Sequence, residues 1–389
     1  MAEKPSGRLL ALDVLRGITI AGMIMVNNPG SWSAVYAPLQ HEPWHGLTPT
    51  DLVFPFFMFI MGISTYISLQ KFDFEFSAPT LLKIVKRTII IFLIGIGLSW
   101  LSVSFNTYYM LESENLGLME RFFRAITNFQ HIRILGVMQR LALTYGISAI
   151  IAITVKHKYI PYIITVSLIS YFLLLLLGNG FERSEQNIIS IVDRAILGIN
   201  HMYKDAGIAI DPEGLLSTIP AIAHVLIGFC CGGILMAIKD NQQRIIQLFI
   251  IGTILTFAGF LLSYGCPINK KIWSPTFVLA TCGLASLFLA LLIWIIDIKG
   301  CKRWSIFFES FGVNPLFIYV LAGILAILAG QPFFIYNGEV ISAKGFIFSI
   351  LLHPYFREYF SSLLFAIIFV SINWIVGNIL YKRKIYIKI

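Results

Sequence analysis

The chain has 389 residues, of which 57% are hydrophobic and only 13% charged. Soluble domains carry about twice that charged share, and so large an apolar excess exceeds what one water-soluble core can bury; this excludes a soluble enzyme. A formal charge of +9 fits the Lys and Arg that gather in cytoplasmic loops of membrane proteins better than a nucleic-acid footprint, so no nucleic-acid partner is expected.

A bilayer core takes about 20 mostly apolar residues per helix. By that measure ten spans are expected, near 9–28, 50–69, 88–105, 134–154, 159–177, 217–238, 245–264, 276–296, 305–329 and 359–381. A further apolar piece, 345–354, is too short to cross and is expected to lie at the interface or to re-enter. The fold class is therefore an all-α polytopic membrane protein, a bundle of about ten transmembrane helices. The first run contains Asp13 and Arg16 and ends in Asn27-Asn28-Pro29 without a small-residue cleavage pattern, so it reads as a retained anchor. The larger share of the 29 Lys and Arg residues falls in one set of alternate loops, including 71–87, 239–244 and 299–303. By the positive-inside rule those loops and both termini face the cytoplasm. The long connections 29–49, 106–133, 178–216 and 265–275 then lie on the opposite side, where loops of such length tend to carry function. The five cysteines form no CxxC pair and read as buried small hydrophobes; no metal site is expected.

Chemistry concentrates in PLQHEPWHGLTPTDLVFPFF, residues 38–57, where two histidines and two acids precede a membrane-spanning run. Ionisable groups at such a border are costly unless solvated or paired, which marks them as functional candidates. His41, in a loop stiffened by three prolines and Trp44, suits a general base; His45 competes with it on chemistry alone. Asp51 opens the second helix behind a Thr48 cap and Pro49, which is ordinary helix-start chemistry, and it is also placed to fix a histidine tautomer. Asn27 reads as a helix stop before Pro-Gly or as an amide that steadies an oxyanion. Asp13 and Arg16 are i,i+3 neighbours that pair, and Arg8 lies two turns below Arg16, so a phosphate clamp is the alternative to a structural salt bridge. Arg140 falls inside the fourth span and needs a partner or a ligand. His224, Glu309 and Asn314 are weaker candidates that interhelical hydrogen bonding accounts for.

The segments R-L-L-A-L-D-V-L-R-G at 8–17, M-V-N-N-P-G at 25–30 and H-E-P-W-H-G-L-T-P-T-D-L-V-F-P-F-F at 41–57 resemble the bacterial relatives of the heparan-α-glucosaminide N-acetyltransferase family. G-V-M-Q-R-L-A-L at 136–143, D-P-E-G-L-L-S-T at 211–218 and G-V-N-P-L-F-I-Y at 312–319 agree in order. The resemblance implies a single transmembrane acyltransferase domain over 1–389, in the bacterial inner membrane. It takes an acetyl group from cytoplasmic acetyl-CoA, a co-substrate, and gives it to an amino sugar or glycan beyond the membrane. The active histidine falls on His41 and the catalytic asparagine on Asn27, with Asp51 beside them. Arg8, Arg140, Arg16 and Asn314 line the CoA side, and a homodimer is the implied assembly. From the residues alone, a transporter of a small polar or sugar-like solute uses the same kinds of group.

Overall fold

A computed structural model of the chain describes residues 9–114 and 116–387; Arg8, expected on the CoA side, lies outside them. The described chain is an all-α polytopic membrane protein. Among the described residues nine helices are long and apolar enough to cross a bilayer: α1 (Leu10–Asn27), α2 (Pro49–Gln70), α3 (Ala78–Met110), α5 (Val137–Thr154), α6 (Ile160–Leu177, with the turn from His157), α8 (Thr218–Ala237), α9 (Asn241–Leu262), α10 (Pro275–Leu292, continued to Ile298) and α14 (Glu358–Lys382). Two short amphipathic helices, α4 (Leu118–Ile126) and α7 (Ile188–Leu197), lie in the long connections.

The expected continuous span 305–329 is instead two helices, α11 (Ser305–Val313) and α12 (Pro315–Gly330), bent by 87°. Proline at 315 disfavours helical geometry at the residue before it, and Asn314 accordingly leaves the helix at φ −126°, ψ 55°. Counted as one span, the pair brings the total to ten. The short apolar piece forms α13 (Ala343–Leu352), preceded by a hairpin of β1 (Phe334–Tyr336) and β2 (Glu339–Ile341).

Helix starts follow the local sequence. Proline occupies the first turn of α2, α3, α6, α10 and α12, where its missing N–H has no intrahelical partner to lose. Ser77, Asp240 and Ser274 cap α3, α9 and α10 by accepting from Thr80, Gln243 and Phe277 N–H. The bundle core closes where small residues let backbones meet. A Cβ on Gly17 would fall 1.8 Å from the Phe308 carbonyl oxygen, and one on Gly312 2.0 Å from that of Asp13, so α1 and α11 cross in near backbone contact. Glu309 accepts from Ser305 and Tyr381 hydroxyls, and His224 Nε2 donates to the Pro55 carbonyl at 2.8 Å: both serve helix packing. Of the cysteines, Cys231, Cys266 and Cys282 are buried, whereas Cys301 is exposed because it follows the end of α10 in a polar turn.

The up-and-down order gives the bundle two dissimilar ends. α1 begins and α14 finishes at a basic end that also carries Lys83 and Arg87 of α3 and Lys382 of α14. The long connections, with α4 and α7, gather at the far end.

Candidate active site

At the far end, Thr48 and Asp51 form a capping box at the start of α2. Asp51 Oδ2 accepts from Thr48 N–H at 3.2 Å, Thr48 hydroxyl at 2.9 Å and Glu42 N–H at 3.1 Å. Its other oxygen, Oδ1, lies 2.7 Å from His41 Nδ1. One carboxylate, 1% exposed, therefore both caps the helix and orients the imidazole. His41 Nε2 has no hydrogen-bond partner among the described residues and is left for chemistry.

The loop carrying His41 is fixed along its length to residues 268–270. Gly46 N–H donates to the Ile268 carbonyl at 2.8 Å, Asn269 Nδ2 donates to His45 Nδ1 at 3.2 Å, and Lys270 Nζ reaches His41 Nδ1 at 3.0 Å and Asp51 Oδ1 at 3.3 Å. Trp44 Nε1 ties the same loop to the Phe181 carbonyl at 2.8 Å. His45 is thus a fastening point, its pKa lowered by burial. Burial also lowers the Lys270 pKa, against the opposing pull of Asp51 and Glu213.

His41, Asn27, Glu213, Lys270 and Tyr319 share a cavity of about 100 Å³. Glu213 is held from behind: Arg133 bonds its Oε2 at 2.5 Å and grips Asp211 with two nitrogens. Burial alone lowers the Arg133 pKa, but those two carboxylates outweigh it and push the value up. Asn27, at the exposed end of α1, lines the same cavity as His41.

At the basic end a second cavity, about 380 Å³, is lined by Arg16, Lys83 and Arg87 together with Ser64 and Ser68. Arg16 pairs with Asp13 at 3.0 Å, as its spacing predicts, and donates to Ser64 at 2.7 Å. Arg87 stacks on Tyr145, 4.6 Å from the ring centroid, and its buried Nε has no hydrogen-bond partner among the described residues. A cation so placed in an apolar bundle calls for an anionic ligand. Between the two cavities lies a neck of about 10 Å³. It shares Phe57, Leu141, Pro315 and Leu316 with the basic cavity, and Met23, Val137 and Tyr319 with the far one. The three form one row through the bundle.

Arg140 and Asn314 lie outside this row. Arg140 is fully buried and donates to the carbonyls of Pro212, Gly214 and Ser217 and to the Ser217 hydroxyl. It clamps the loop that presents Glu213. Asn314 bridges the backbone of Ile385 and Ile387 at 2.8 Å each, docking the C-terminal segment against the bend. Asp193 of α7 supports the Glu213 loop from its other side, accepting from Leu215 N–H at 2.8 Å. Lys270, Glu213, Tyr319, Lys83 and Arg87 were not singled out as site residues by sequence reasoning. The D-P-E-G block and the inward i,i+4 spacing of Lys83 and Arg87 on α3 were the available signals.

Burial lifts the Asp193 carboxyl to about 7; the Leu215 N–H opposes this, Asp211 adds to it, and Arg140 opposes it. Between the ordinary value near 4 and about 7, the folded protein holds a proton that the unfolded chain has released. Stability therefore falls as pH rises through that window. Asp193→Asn is expected to remove this fall, leaving the variant more stable than the parent at pH 8 by up to a few kcal/mol, and thermal unfolding in detergent at pH 5, 6.5 and 8 checks it. Equal pH dependence in both proteins would rule out Asp193 as its source.

Among the described residues no group of three or more His, Cys, Asp or Glu side chains gathers to hold a metal ion. No family model matches the chain. It is similar to two curated proteins named heparan-alpha-glucosaminide N-acetyltransferase. The Mus musculus protein is 27% identical over 376 residues, covering 81% of this chain and 53% of that protein. The Homo sapiens protein is 28% identical over 376 residues, covering 80% and 52%. The chain is a distant relative of these proteins and spans about half the length of each.

Proposed function

We propose that residues 1–389 form one transmembrane acyltransferase domain that takes an acetyl group from cytoplasmic acetyl-CoA and gives it to an amino sugar or glycan on the other side. The observation that carries this reading is the row of cavities, with a cluster of basic side chains at one end and an oriented imidazole at the other. The basic end is taken as cytoplasmic from the distribution of Lys and Arg. The phosphates of CoA suit Arg16, Lys83 and Arg87, and the neck, which as it stands has room for about one water, opens to pass the pantetheine arm.

With the thioester in the far cavity, His41 Nε2 accepts a proton from the acceptor amine as its nitrogen attacks the thioester carbon. The Asn27 amide donates to the oxygen of the tetrahedral intermediate. Asp51 stabilises the imidazolium by accepting from Nδ1–H, and the proton then passes from Nε2 to the departing CoA sulfur. N-acetylated acceptor and free CoA are the products. The relatives' printed name supports an amino-sugar acceptor.

The test is transfer of labelled acetyl from acetyl-CoA to glucosamine by the purified chain in detergent, without a gradient. Arg87→Ala is expected to raise the KM for acetyl-CoA by about 10- to 100-fold, the range for a lost hydrogen bond to a charged group, with a smaller change in kcat. Solute uptake into liposomes without any CoA turnover would overturn the acyltransferase in favour of a transporter.

A further inference from the structure

Lys270 belongs neither to the loop that carries His41 nor to the helix that carries Asp51, yet its ammonium touches both. It arrives from the loop between α9 and α10, fastened residue by residue to the His41 loop through Gly46–Ile268 and His45–Asn269. Nζ lies 3.0 Å from His41 Nδ1 and 3.3 Å from Asp51 Oδ1. A single ring nitrogen cannot donate to Asp51 and accept from an ammonium at once. Two arrangements are therefore open. In one, Nδ1–H and Lys270 both donate to Asp51 Oδ1, and Nε2 is a bare acceptor. In the other, Lys270 donates to Nδ1 and the ring proton sits on Nε2.

The surroundings decide between them. Asp51 Oδ2 already has two backbone donors, Thr48 and Glu42 N–H, with the Thr48 hydroxyl, whose one proton the Gln40 carbonyl also claims, beside it, so the carboxylate's unmet demand falls on Oδ1. The first arrangement supplies it with two charge-assisted bonds, and the second leaves it with only the ammonium. The remaining groups facing His41 are Glu213, already bound to Arg133, and the Tyr319 ring of α12.

We propose that Lys270 is a positioning residue: by sharing Asp51 Oδ1 with the imidazole, it holds the ring proton on Nδ1 and keeps Nε2 free to accept one from the acceptor. This rests on His41 being the base of the proposed reaction.

The experiment compares K270M, K270Q and K270R in the full chain, so that a folding failure of one uncharged variant leaves the other. Transfer is measured against pH, and carbethoxylation of His41, which requires an unprotonated ring nitrogen, is read by peptide mass spectrometry over the same range. In K270M and K270Q, kcat is expected to fall by about 10- to 100-fold with the KM for acetyl-CoA unchanged. Labelling of His41 is expected to fall in step with kcat in both variants, because the exposed ring nitrogen then carries the proton. K270R is expected to restore both. Unchanged labelling in K270M and K270Q, or an arginine variant as impaired as these two, would overturn the role. Absence of CoA turnover in the parent protein would instead refute the acyltransferase reading, while the labelling curves still judge Lys270.

Discussion

Replacing His41 by alanine is expected to lower acetyl transfer by about 100- to 10,000-fold, the usual contribution of a positioned general base, with acetyl-CoA affinity unchanged. The two effects separate because His41 and the basic side chains lie in different cavities. Steady-state transfer together with calorimetric CoA binding checks the result. Single-turnover rapid quench adds a second readout: no acetyl group should accumulate on His41 in the parent protein, since Nε2 acts on a proton. An acetyl-imidazole trapped there would replace direct attack by a two-step route through the same residue, and full activity in the alanine variant would remove His41 from the chemistry.

The second large effect concerns the neck. Leu316 lines both the basic cavity and the neck, which encloses only about 10 Å³. Leu316→Trp is expected to reduce transfer by at least about 100-fold, because a thioester held even about 1 Å short of the base loses that much. Leu316→Ala, which widens the same point, should retain transfer. Both variants should still bind CoA at the basic mouth. Wild-type transfer by the tryptophan variant would show that the acyl group takes another path.

How far these elements were legible in the sequence depends on how local their determinants are. The spans were legible because length and apolar content set them. The exception, 305–329, broke at Asn314, where Pro315 overrides an unbroken apolar run. His41 and Asp51 could be read together since they lie ten residues apart around one helix start. Lys270 and Glu213 come to them from far along the chain through loop-to-loop bonds that no periodicity announces. Lys83 and Arg87 were visible only as charges that orient the bundle, because counting cations does not say which side of α3 faces inward. For Arg140, a cation inside a span demanded a partner or a ligand, and the fold meets that demand with oxygens of the 212–217 loop, which lie too far along the chain to be read from the sequence.

The narrowness of the neck has a consequence beyond catalysis. Its wall includes Ile20, Met23, Phe57, Val137 and Leu141 beside Tyr319, and a gap of that size has room for about one water. A plug of this kind cannot support a file of solvent, so ions and protons find no conducting wire between the two compartments. The two-sided reaction proposed above would then leave the voltage across the membrane intact.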